Sequence, residues 1–184
     1  VMGRGALAPQ PKAQPAAEGA KYALTGGGWT LQRASEVEHT GETISQVGYS
    51  AEDWIVATVP GTVLTSYKNI GALPNPNYAD NIFQISESFF NSNFWYRNEF
   101  SLPEGFARER VFLNFDGLNW KANIFLNGKK IDRIEGAFIR GKYDVTDLVK
   151  AGKNVLAVEI EKNAYIGAIK EKYEYNIDLN GGML

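Results

Sequence analysis

The residues best equipped to hold a ligand are Tyr78, Asp80 and Asn81, which lie within four positions of one another, together with Trp95, Arg97, Trp120, Asn176 and Asp178. A carboxylate accepts hydrogen bonds, a carboxamide both donates and accepts, and an aromatic ring offers a flat apolar face. Such a set suits a polar molecule with stackable faces. Other chemistries find less support. The chain has no cysteine, so it offers no thiolate nucleophile, no disulfide framework and no cysteine-held zinc or iron-sulfur centre. His39 is the single histidine and sits in a polar stretch without a second ligand or triad partner, which marks it as a solvent-exposed residue. The run Gly26-Gly27-Gly28 has no buried strand before it and no long helix after it, so it lacks the setting of a phosphate-cradling loop. No catalytic residue, metal ligand or cofactor site is assigned.

Each candidate also has a packing alternative. Asn and Asp favour turns for local reasons, which covers Asp80 and Asn81 without any ligand. Trp95 and Arg97 project to the same side of their strand and form either an aromatic and cationic patch or an internal stack with Glu99 close by. Trp120 follows the turn signal Asp116-Gly117 and reads as a platform, a domain contact or a core residue.

The elements that must position these groups are short strands. Phe94, Tyr96, Asn98, Phe100 and Leu102 alternate with Trp95, Arg97, Glu99 and Ser101, the period of two that a strand imposes. Val111, Leu113 and Phe115 repeat the pattern, and Ala122, Ile124 and Leu126 lead into Asn127-Gly128, a type I′ signal that predicts a hairpin returning through Lys129 to Ile134. Trp29 and Leu31, the stretch 52–59, Phe138 to Tyr143 and Val155 to Ile160 are further predicted strands. Thr62 caps a predicted helical turn bearing Val63, Leu64 and Tyr67 and ended by Gly71, and Asp144 to Val149 predicts a second capped turn. Between Ala72 and Asn81 two prolines and three asparagines dictate an irregular loop.

With 184 residues, 44% apolar and 12% aromatic, the chain holds enough for one packed core. The absence of long helices argues against a parallel crossover fold. The reading is all-β: an antiparallel β-sandwich over 26–162, a flexible Ala-, Pro- and Gly-rich extension over 1–25, and a C-terminal tail over 163–184. A formal charge of -2 gives no electrostatic reason to bind nucleic acid, and no apolar run approaches a membrane-spanning length.

In order, the motifs resemble a known family. Trp54, Val59-Pro60-Gly61-Thr62-Val63-Leu64, Pro74-Asn75-Pro76 and Asp80-Asn81 look like the opening of family 2 glycoside hydrolases of the β-mannosidase and exo-β-glucosaminidase type. Phe94-Trp95-Tyr96-Arg97, Phe115-Asp116-Gly117-Leu118-Asn119-Trp120, Leu126-Asn127-Gly128 and Gly152 to Val158 extend the similarity over roughly Gly28 to Glu161. The resemblance implies a jelly-roll, galactose-binding-domain-like module placed before an immunoglobulin-like domain and a catalytic barrel, neither of which fits in this length. It implies that both carboxyl groups of a retaining glycosidase lie in the barrel. It also implies that the loop 74–81 reaches toward the sugar subsite, with Asp80 and Asn81 on hydroxyls and Tyr78 on a ring face, and that Asn176 and Asp178 run close to it.

The function expected is therefore a non-catalytic sugar-binding and architectural domain of a β-glycosidase acting on terminal mannosyl, glucosaminyl or galactosyl residues, in a secreted or periplasmic protein. Its partners would be that carbohydrate and the absent domains of the parent chain. Two alternatives remain open: an autonomous carbohydrate-binding module, which requires an exposed aromatic platform, and a structural sandwich, which requires Trp95 and Trp120 to be buried.

Overall fold

The computed structural model describes residues 21–106, 110–136, 138–162 and 182–183. Six strands form one antiparallel sheet in the order β2 (Ile55–Val56), β1 (Trp29–Arg33), β4 (Phe94–Leu102), β9 (Gly152–Ile160), β6 (Lys121–Leu126) and β7 (Lys129–Glu135). Its longest pairing is β4 with β9, which runs without a break from Phe94 opposite Ile160 to Leu102 opposite Gly152. Two smaller pairs lie apart from it: β5 (Phe112–Phe115) with β8 (Gly141–Asp144), and β3 (Gly61–Thr62) with β10 (Gly182–Met183).

Alternation along the strands decides which side chains enter the core. Phe94 and Tyr96 of β4, Leu156, Val158 and Ile160 of β9, Ala122, Ile124 and Leu126 of β6, and Trp29 and Leu31 of β1 share the inner face, and all are buried. Opposite them pack Phe115 of β5, Val145, Val63 of the helix α2 (Val63–Asn69), Ile85 and Phe90. Each large apolar side chain so enclosed contributes roughly 1.5–3 kcal/mol relative to an exposed position. The all-β sandwich holds, although its second layer is a ribbon and short helical turns rather than a broad sheet.

Local signals act as their chemistry requires. The Thr62 hydroxyl accepts the Thr65 N–H at 3.0 Å and caps α2. Asn127 and Gly128 adopt φ of 51° and 84°, the pair of positive angles that a type I′ turn needs, and the Asn127 carboxamide donates to the Leu148 carbonyl at 2.8 Å. After β8 the Asp144 carboxylate accepts the Thr146 N–H at 3.1 Å and the Thr146 hydroxyl at 2.6 Å. Those Thr146 bonds, with the adjacent Arg110 guanidinium, pull the Asp144 carboxyl down to about 2.

Two predicted strands are shorter than their patterns. The run 52–59 pairs in register only at Ile55 and Val56, with one more bond from the Ala57 N–H to the Trp29 carbonyl at 2.9 Å, because residues 52–53 turn and the chain bends away before Pro60. The strand expected from Phe138 begins at Gly141, since β5 ends opposite it at Phe115. Of the expected extension 1–25, residues 1–20 lie outside the described chain. Leu24 packs against the core, and its carbonyl accepts the Trp29 indole N–H.

The outer face of the sheet is covered too. Residues 34–54, which include the short helix α1 (Gly41–Ile44), lie across it and enclose Trp95, Phe125 and Ala157 together with Ile44. Gly41 rests directly on the Phe125 ring: an added Cβ would stand 2.4 Å from it.

Candidate functional site

The loop between α2 and β4 is built as a braced projection. Gly71, at φ 78°, ends α2 where a side chain would be strained. Asn75 then uses its side-chain oxygen to accept the Asn77 N–H at 3.2 Å, and its carbonyl accepts the Asn81 carboxamide at 3.0 Å. A 3-10 turn over Asn81–Gln84 follows, with Ile85 anchored in the core. Ala79 sits at φ 48° between Tyr78 and Asp80, a region a non-glycine residue enters at a cost of roughly 1–2 kcal/mol. The bracing bonds hold that conformation, and they fix which neighbours point outward.

Among the described residues, Tyr78 is 71% exposed and Phe83 68% exposed, and the Asp80 carboxylate is exposed with no hydrogen bond. The predicted trio therefore divides. Tyr78 and Asp80 are presented to solvent from a stiff loop, whereas Asn81 is committed to the turn through Asn75 and, at 3.5 Å, Gln84. Phe83 was not anticipated. Its signal was the pair Ile82-Phe83 just beyond the last asparagine, where a one-turn helix must turn one of two apolar neighbours outward.

The expected patch of Trp95 and Arg97 is corrected. The two do share a face, but Trp95 is 5% and Arg97 6% exposed, because residues 34–54 cover them. The Trp95 ring lies 5.7 Å from that of Phe125. The Arg97 guanidinium donates to the Ile44 carbonyl at 3.0 Å, to the Gln46 carbonyl at 3.2 Å and to Glu99 at 3.4 Å. Lys153, 2.9 Å from Glu99, acts first and Arg97 with it to hold that carboxyl below its usual range. Trp95 thus offers no surface platform of the sort an autonomous module needs. Trp120 is half-buried, with the Lys121 ammonium 4.4 Å from its ring centre. Asn176 and Asp178 lie outside the described residues. His39 is exposed and meets the Tyr49 hydroxyl at 3.5 Å.

Two carboxylates come close to each other at Glu159 and Glu161, where the Asn123 carboxamide lies 3.1 Å from one and 3.2 Å from the other. Glu161 does not suit general acid catalysis, which requires a raised carboxyl pKa. Arg133 grips Glu161 at 3.0 Å through two nitrogens and holds it below the usual range, and Glu159 accepts from Asn93 at 2.9 Å. Among the described residues no group of three or more His, Cys, Asp or Glu side chains is placed to hold a metal ion.

Comparison with known proteins adds to this geometry. A family profile described as the glycosyl hydrolase 2 galactose-binding domain-like region matches residues 29–182. The exo-β-D-glucosaminidase of Streptomyces avermitilis is 33% identical over 158 residues, covering 84% of this chain and 17% of that enzyme. The mannosylglycoprotein endo-β-mannosidase of Lilium longiflorum is 34% identical over 153 residues, covering 77% and 16%. The crystal structure of the exo-chitosanase of Amycolatopsis orientalis superimposes with a TM-score of 0.69 at 24% identity, over 84% of this chain and 17% of that one. The chain thus spans about one sixth of the length of these relatives.

Proposed function

The chain belongs to the galactose-binding-domain-like family of glycosyl hydrolase 2, and on that premise we propose that it is a non-catalytic module forming one wall of the substrate pocket of a longer retaining β-glycosidase. The single observation that carries the reading is the loop 75–84, in which Asn75 and Asn81 are spent on bracing while the Tyr78 ring and the Asp80 carboxylate are left exposed at its tip. A stiff loop lowers the ordering cost of binding. A ring face and a free acceptor are what a pyranose needs, one for its C–H face and one for a hydroxyl or an amine.

The substrate class is a β-linked glucosaminyl, mannosyl or galactosyl residue, in keeping with relatives named exo-β-D-glucosaminidase, endo-β-mannosidase and β-galactosidase. The bond-breaking carboxyl groups belong to the rest of the polypeptide. The environment of Glu161 supports that division, because its hydrogen bonds with Arg133 and Asn123 favour the ionised carboxylate.

In the complete polypeptide, Tyr78→Ala and Asp80→Ala should each lower kcat/KM on p-nitrophenyl β-glycosides by about tenfold or more, the range expected when a hydrogen bond to a charged group or a stacking face is lost. Thermal midpoints should stay at the wild-type value. Asn81→Ala should instead lower the midpoint. Values of kcat/KM within about twofold of wild type for both tip variants on glucosaminide, mannoside and galactoside would rule out the proposed wall.

A further inference from the structure

We propose that the uncharged face formed by residues 55–60 and 69–72 is the docking surface for the portion of the longer polypeptide that follows Met183. The proposal rests on the preceding reading for the existence of that portion, and on separate residues for its location. Lys68 is the only charged residue between Asp53 and Asp80, in a chain of which 22% is charged. A solvated surface mixes charges of both signs, whereas the centre of a protein contact is depleted of them.

The fold gathers this stretch on one side. Ala57 and Val59 are buried in the core, so Val56, Thr58 and Pro60 face outward in a row along the edge of the sheet. The Asn69 carboxamide donates to the Thr58 hydroxyl at 2.9 Å, and the Thr58 N–H donates to the Ser66 hydroxyl at 3.0 Å. Those bonds lay the end of α2 against the row. Val56 and Ile70 are each 43% exposed, and Pro60, Asn69 and Ala72 are exposed as well. The two edges of the sheet differ in kind. At one end of the strand order β7 carries Lys129, Lys130, Asp132, Arg133 and Glu135, and charge of that density keeps a free edge from pairing with other chains. At the other end β2 consists of Ile55 and Val56. An edge without that protection is one that the complete protein covers. Valine, isoleucine and proline offer a sugar neither a ring face to stack on nor a side-chain hydrogen bond, so the covering body is protein.

The course of the chain identifies the occupant. Gly182 pairs with Thr62 and Met183 with Gly61 in antiparallel register, so β10 runs along β3 in the direction of Pro60, the last residue of the outward row. An added Cβ on Gly61 would stand 2.8 Å from the Thr58 carbonyl oxygen, which shows how closely β3 folds back on that row. The family profile also ends at residue 182, in this same strand. In the relatives the matched region is only 17% and 16% of the whole, so a large body of polypeptide departs from β10, beside the uncharged face. Consecutive parts of a chain usually pack as neighbours.

The test compares amide exchange in the 184-residue chain and in the complete polypeptide encoded by the same reading frame, at 55–59, at 69–72 and, as reference, at 129–135. The first two stretches should exchange about tenfold slower or more in the complete polypeptide, and β7 at the same rate in both. The double variant Val56→Lys, Ile70→Lys should restore fast exchange to this face of the complete polypeptide. Each lysine alone should move the melting point of the 184-residue chain by less than roughly 2 °C, the usual reach of a surface change. Equal exchange in both proteins, equal slowing at β7, or protection that survives both lysines would overturn the surface. Each would do so even if the complete polypeptide hydrolyses glycosides, leaving the proposed function standing. Protection of this face in a complete polypeptide without glycosidase activity would do the reverse. A reading frame without a further domain would overturn both. Dimerisation of the 184-residue chain, abolished by Ile70→Lys in sedimentation, would assign the surface to a second copy and overturn the proposal.

Discussion

Replacing Arg97 with methionine should destabilise the chain by about 1–3 kcal/mol, the cost of leaving a buried polar group without a partner. The loss is not one of packing, because methionine fills much of the same volume. It falls chiefly on the carbonyl of the buried Ile44, which accepts its bond from Arg97 at 3.0 Å, since the carbonyl of the exposed Gln46, 3.2 Å from Arg97, also accepts the Tyr49 N–H at 3.4 Å. Arg97→Lys should recover only part of the difference, since an ammonium is a point donor and cannot reproduce the fork that serves both carbonyls and Glu99. The measurement is the urea midpoint of each variant, read alongside the emission of the tryptophans, of which Trp95 lies beside Arg97 on the covered face. A methionine variant within about 0.5 kcal/mol of wild type would show that residues 34–54 hold to the sheet without the clamp.

Gly41→Ala should also destabilise, by about 1–3 kcal/mol, the cost of forcing a methyl group into a filled core. Two effects compete at this position. Alanine raises helix propensity by roughly 0.8–1 kcal/mol over glycine, which would stabilise α1 if its surroundings were open. They are not: the new Cβ would stand 2.4–2.6 Å from three atoms of the Phe125 ring. The clash wins unless the ring moves, and Trp95, Ile44 and Ala157 enclose the same cluster. The double variant Gly41→Ala, Phe125→Leu should therefore lose less than the sum of the single changes, and thermal melts of all four proteins give that coupling. A Gly41→Ala protein more stable than wild type would mean that α1 does not press on the sheet.

Much of the sandwich was legible because its strands bury one face under alternating side chains. The hairpin at Asn127-Gly128, the cap at Thr62 and the inward row Phe94, Tyr96 and Asn98 follow from local chemistry that the fold does not override. The burial of Trp95 and Arg97 was not legible in the same way. A charged residue at an outward position reads as solvated, and only the distant segment 34–54, folded over it, supplies the carbonyls that let an arginine go inside. The apolar pair Trp95 and Phe125, both on the outward side of their strands, was the available hint that this face too is covered.

At the loop, residue types marked the right stretch without dividing the labour within it. Asp80 and Asn81 look equivalent in sequence, since both favour turns and both can hold a ligand. Which one is free depends on the bond from Asn81 to the Asn75 carbonyl, a contact six residues back along the chain. Phe83 and Phe138 escaped notice for a related reason. A phenylalanine is read as core until the structure shows how much of it faces solvent.

The account turns on whether these residues shape a site without doing its chemistry. The most direct measurement is hydrolysis of p-nitrophenyl β-D-glucosaminide, β-D-mannoside and β-D-galactoside by the purified 184-residue chain and by the complete polypeptide under one set of conditions. The expected result is release of nitrophenol by the complete polypeptide from at least one glycoside, and none above the buffer rate by the 184-residue chain. Sustained turnover by the 184-residue chain alone would contradict it.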